Sequence, residues 1–141
     1  IEATAYGTRM IIESFEKAGV KVDSVVLSGG IPVKNSMLVQ VYSDICKRNI
    51  KVSASTQASA LGAAVLGIAA AKEEVTGYKD ANEVAQALGK VHEKVYTPNP
   101  ENTAVYDKLY EEYVTLHEYF GKGANDVMKR LNKIREEQRA K

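Results

Sequence analysis

The run VVLSGGIPVKNSMLVQVYSDI, Val25 to Ile45, decides the fold. Its opening, SVVLS, is β-branched and apolar, the composition of a strand covered on both faces. The segment GGIPVKNS then interrupts it. With Asn35 or Ser36 as cap, Leu38, Val41, Tyr42 and Ile45 recur at helical spacing through Lys47 and form the expected buried face of a helix. A strand ending in two glycines and followed by a helix suits a phosphate. Glycine lets the backbone approach a ligand with no Cβ in the way, and a helix N-terminus supplies N–H donors and roughly half a unit of positive charge. Lys34 either adds a point charge there or sits in water. Glycine pairs after strands are also common turn devices, and on spacing alone the tight turn is the preferred reading, with phosphate contact the alternative. The pattern is neither G-x-x-x-x-G-K-[ST] nor G-x-G-x-x-G, so neither standard nucleotide loop is present.

Upstream, apolar Ala5, Met10, Ile11, Ile12, Phe15 and Ala18 recur at helical spacing within Glu2 to Ala18, and Gly19 stands where that helix stops. Downstream, NIKVSAS reads as a second short strand. STQASALGAAVLGIAAA reads as a helix with Ser55 or Thr56 as cap. Two strands joined by a helical crossover lie parallel, and two strands alone make a poor sheet. The chain, which opens on Ile1 inside a helical pattern, therefore reads as cut from something longer. Ala58 to Ala71 is about 14 residues, short of the roughly 20 a bilayer span needs, so a buried helix is expected. Its small residues, Ala60, Gly62, Ala63, Ala64 and Gly67, permit close approach by another backbone or a flat ligand, and close packing on the sheet is the expected use. Beyond Gly77, DANEVAQAL reads as a short helix and VYTPNPENT as a loop. A long helix is predicted from about Glu101 to Phe120, with Gly121 and Gly123 ending it, and a last one from Ala124 to about Arg139.

The 141 residues suit one globular domain, with 45% hydrophobic and 26% charged side chains. Nineteen basic and 18 acidic side chains leave a formal charge of +1, which draws the chain neither to nucleic acid nor to an acidic membrane. The tail from Lys122 carries seven basic and three acidic side chains and reads as a solvated face. One cysteine, Cys46, reads as a small buried thiol, which fits a reducing cytoplasm. No signal peptide is evident. His92 and His117 lack the companions of a zinc site, and no serine lies in a nucleophile motif. Tyr106, Tyr110 and Tyr113 keep the spacing of packing residues rather than of a base-stacking face.

Taken in order, the Gly-Gly run, IKVSASTQASALGAAVLGIAAA and the tyrosine-rich VYDKLYEEYVTLHEYFG resemble the carboxyl-terminal domain of FGGY-type carbohydrate kinases, most closely the bacterial L-ribulokinase branch. The resemblance covers nearly the whole chain. It implies an α/β, partial actin-like (ribonuclease H-like) fold: a parallel strand pair with covering helices, plus a C-terminal helical extension. Residues 1–77 would form the nucleotide-side core and 78–141 the extension. By analogy Gly29 and Gly30 approach the nucleotide phosphates through backbone amides, Ile31 lies toward the adenosine, and Lys34 and Asn35 border the same pocket. Ile31 and Lys34 depart from the alanine and asparagine common at those positions in the family.

The resemblance implies ATP and Mg²⁺ as cofactors, and γ-phosphoryl transfer to a ketopentose, L-ribulose giving L-ribulose 5-phosphate in L-arabinose catabolism. The general-base aspartate is expected outside this chain, since Asp23 and Asp44 do not match its position. The chain alone is then expected to be inactive, with no metal ligands of its own. Sugar would bind mainly through another domain, and a homo-oligomer is left open. The rival readings are a non-catalytic α/β interaction module and a related kinase for xylulose or glycerol.

Overall fold

The computed structural model describes residues 1–123 and 125–140, which fall into two units, Ile1–Pro100 and Glu101–Lys141. The first runs α1 (Glu2–Lys17), β1 (Ser24–Leu27), α2 (Gly30–Lys34), α3 (Ser36–Cys46), β2 (Asn49–Val52), α4 (Ala58–Ala70), α5 (Glu73–Thr76) and α6 (Ala81–Leu88). The strands pair in parallel, from Ser24 opposite Asn49 to Leu27 opposite Val52, as expected for strands joined through a helix.

Side chains along a strand alternate between faces. Val25, Leu27, Ile50 and Val52 therefore share one face, which packs on Leu38, Val39 and Tyr42 of α3 and on Tyr96. Ser24, Val26, Asn49 and Lys51 share the other, where Val26 is 52% exposed. The expected cover on both faces is thus corrected. Consecutive β-branched residues raise strand propensity whether one face or two are packed, and no second layer lies on this face among the described residues. The expectation for α4 is corrected as well: its main neighbours are α6 and α5 rather than the sheet, and none of its residues is buried. Small side chains permit close approach, but a helix is buried only where a partner surface reaches it.

Asn35 caps α3, its Oδ1 accepting from the Leu38 N–H at 3.0 Å. The buried residues of α3 are Val39, Ser43, Asp44, Ile45 and Cys46, a face wider than and rotated from the predicted one. Leu38 and Tyr42 flank it and Val41 is half-buried. The rotation follows from α1, which packs across α3 through buried Ala5, Tyr6 and Ile12 while Ile11 and Phe15 are exposed. Arg48 secures this corner: its Nε donates to the Val22 carbonyl at 2.8 Å and its Nη2 pairs with Glu16. Burial pushes the Cys46 thiol from 9.0 up to about 11, against the smaller opposing pull of Arg9 and Arg48.

The Gly-Gly segment, expected as a loop, includes the five-residue α2. α4 begins at Ala58 with Gln57 before it and no side-chain cap; Ser55 instead accepts from the Gln57 N–H at 3.2 Å. Asp80 caps α6, accepting from Asn82 and Glu83 N–H groups at 2.8 and 3.0 Å. The stretch after α6, expected as loop, returns to β2 through antiparallel bridges of Val91 with Ser53 and Tyr96 with Ile50. The second unit holds most of α7 (Pro100–Gly121) and all of α8 (Val127–Arg139), close to the predicted bounds; Ala124 lies outside the described residues. Proline begins α7, where a missing N–H costs nothing. Tyr110 is buried and stacks on Tyr113 at 6.3 Å, in keeping with a packing role.

Ile50→Ala should cost about 2–5 kcal/mol, read from urea unfolding. Cys46 should react with a thiol reagent at pH 8 far more slowly in the folded than in the unfolded chain, because the reactive thiolate is suppressed and covered. Its raised thiol contributes stability that is complete below the unfolded-state pKa and declines as pH rises from about 9 toward 11; Cys46→Ala should flatten that decline in unfolding curves taken across the same range.

Candidate functional site

The turn at Ser28 to Gly30 leaves β1 at its carboxyl end, where the ligand crevice of an α/β sheet opens. Gly29 has φ 100° and ψ 177°, a region that only glycine adopts without strain. Gly30 has no such requirement and opens α2. A Cβ at either glycine would meet no heavy atom within 4 Å, so the backbone there borders open space. First-turn N–H groups lack intrahelical acceptors, which leaves the amides of Gly30 and Ile31 suited to an anion; Pro32 contributes none.

The other expected site residues lie along the same short path. Ile31 is 67% exposed. Lys34 is exposed at the end of α2. Asn35 is half-buried, and its side-chain oxygen is engaged in capping α3. The structure therefore brings Gly29, Gly30 and Ile31 together at one edge and gives Asn35 a demonstrable folding role.

A groove of about 530 Å³ adjoins this path, lined by Pro32, Val33, Val52, His92, Glu93, Lys94 and Tyr96. None of the five expected site residues lines it. Lys94 Nζ stands 4.4 Å from the centre of the Tyr96 ring. The sequence signal for this wall was weak: VHEKVY has valines and an aromatic but no clean alternation, and its pairing partner lies some 40 positions upstream. Among the described residues no three His, Cys, Asp or Glu side chains come together as a metal-binding group. No helix among them is long and apolar enough to cross a membrane.

The model of the FGGY family of carbohydrate kinases, C-terminal domain, matches residues 1–71. The chain is 51% identical over 140 residues to the ribulokinase of Geobacillus thermodenitrificans, covering 99% of this chain and 25% of that protein. It is 50% identical over 135 residues to the ribulokinase of Halalkalibacterium halodurans, covering 96% of this chain and 24% of that protein. The crystal structure of xylulose kinase from Rhodospirillum rubrum superposes with a TM-score of 0.64 at 24% identity, over 82% of this chain and 22% of that one, a likeness of fold. The chain thus spans about a quarter of the length of the curated relatives it matches. The parallel strand pair packed on α3 is that of part of an actin-like kinase C-terminal domain. Half of the chain fits the family's model and nearly all of it aligns with family kinases, so the chain belongs to the FGGY family of carbohydrate kinases, within the C-terminal domain.

Proposed function

We propose that this chain is the nucleotide-side portion of an ATP-dependent sugar kinase whose substrate is L-ribulose. The observation that carries the reading is identity near 50% along nearly the whole chain to proteins named ribulokinase. Residues 1–77 are the proposed family core and 78–141 its helical extension, a division supported by the family match ending at residue 71.

In this reading Gly29 and Gly30 hold the nucleotide phosphates through backbone N–H groups, supported by open space around both glycines and the Gly-only angles at Gly29. Ile31 covers the nucleoside, supported by its exposure, and Lys34 and Asn35 border that pocket. Mg²⁺, when bound, neutralises charge on the β- and γ-phosphates. The sugar hydroxyl oxygen forms a bond to the γ-phosphorus, the bond to the bridging β–γ oxygen breaks, and ADP leaves. An aspartate outside this chain takes the hydroxyl proton. The chain by itself holds nucleotide without transferring phosphate.

Two variants separate shape from binding. Gly29→Ala should destabilise the fold by about 1–3 kcal/mol through backbone strain alone. Gly30→Ala should leave stability unchanged or raised by about 0.4–1 kcal/mol, yet weaken ADP binding because its methyl group intrudes on the approach to the amides. Titration of ADP with Mg²⁺ into isotope-labelled chain should shift the Gly29, Gly30 and Ile31 amide signals. Signals unmoved at millimolar ADP would favour an interaction module. The whole polypeptide, assayed against L-ribulose, xylulose and glycerol, should prefer L-ribulose; a preference for either of the others would reassign the substrate within the family.

A further inference from the structure

The stretch from Lys90 to Asn99 runs along the outer edge of β2 without forming a regular strand. Ile50 and Tyr96 exchange N–H···O bonds of 2.9 and 2.8 Å. Further along, His92 N–H donates to the Val52 carbonyl at 2.8 Å and Ala54 N–H to the Lys90 carbonyl at 3.0 Å. Between the two bridges β2 advances three residues, 50 to 53, while the strap advances five, 91 to 96. Two extra residues therefore bulge outward around Glu93 and Lys94, both exposed. A bulged, charged segment takes up the hydrogen-bonding groups of a strand while offering no straight edge of its own.

The strap is also held from behind by polar side chains of α3. Asp44, 1% exposed, accepts at Oδ1 from the Asn99 N–H at 2.8 Å. Gln40 Nε2 donates to the same oxygen at 2.7 Å and to the Thr97 carbonyl at 2.8 Å. The Ser43 hydroxyl, fully buried, lies 3.0 Å from the Tyr96 carbonyl and 2.9 Å from that of Arg48. An apolar helix face would bury at lower desolvation cost; these three side chains instead aim at the backbone of Tyr96, Thr97 and Asn99.

We propose that the strap is an edge guard, latched by Gln40, Ser43 and Asp44, that keeps β2 from pairing with β2 of a second copy of the chain. With the strap lifted, Ile50 N–H and C=O, the Val52 C=O and the Ala54 N–H present a free row. Antiparallel pairing of this row with its own copy about a two-fold axis satisfies the same groups in both chains.

The test uses the whole polypeptide that carries this chain. Asp44→Ala should speed hydrogen exchange at the Ile50 and Ala54 amides by about tenfold or more in dilute solution. Sedimentation should then reveal a concentration-dependent larger species absent from the unaltered protein, and protection at Ile50 and Ala54 should return as that species forms. His92→Pro, at an exposed position outside the core, removes the donor to Val52 and stiffens the strap beside the Val91 bridge, and should give the same effects; it decides the matter if Asp44→Ala does not fold. Faster exchange with unchanged sedimentation over a hundredfold concentration range would overturn the guard. Unchanged exchange in both variants would overturn the latch, and association without renewed protection at Ile50 and Ala54 would assign the contact to another surface.

Discussion

The contact on which the rest of this structure depends is the burial of one face of a two-stranded parallel ladder against α3, with Val39, Ile50 and Val52 at its centre. Two strands cannot stand alone in water, so the pair persists because this face is removed from solvent. Apolar burial contributes about 25 cal/mol per Å², and the fully covered Ile50 and Val39 add it to the short ladder's hydrogen bonds, each worth about 1 kcal/mol net. Seating α3 on the ladder also sets where the intervening chain turns. The exit of β1 and the start of α3 leave only Ser28 to Asn35 to cross the strand's carboxyl end, and the proposed phosphate turn lies within that crossing.

Gly29 and Gly30 illustrate how adjacent identical residues can answer to different constraints. The first is required by its backbone angles, which a Cβ would strain. The second has ordinary angles and open space, so its lack of a side chain has no folding explanation within this chain. The proposed nucleotide contact would give it a reason, and exposed Ile31 lies beside it. Lys34 and Asn35 divide similarly, since Asn35 caps α3 while Lys34 has no folding role of that kind.

Polar burial in α3 follows the same economy as its apolar face. A buried donor or acceptor left unmade costs about 1–3 kcal/mol; Ser43 and Asp44 are met inside by the strap's backbone and by the Arg48 carbonyl and Gln40 of their own neighbourhood. The strap, in turn, lacks a regular ladder and depends on those side chains. The face at Val26 is uncovered, and α4 is half-buried at Leu61, Val65 and Ile68 with no fully buried residue.

Local pattern determined much of this protein. The helices at 2–17, 36–46, 81–88 and 100–121, both strands, their parallel sense, the cap at Asn35 and the buried cysteine all follow from residues within a few positions of one another, because helix periodicity, strand propensity and capping are short-range physics. The glycine turn was legible for the same reason, and the order of three segments sufficed to indicate the kinase family. Tertiary structure alone decided which strand face is covered, which side of α3 points inward, and that residues 90–99 close the edge of β2. Those outcomes depend on surfaces brought together from positions some 40 to 55 residues apart, and no local periodicity records which distant backbone will meet the carboxylate of Asp44.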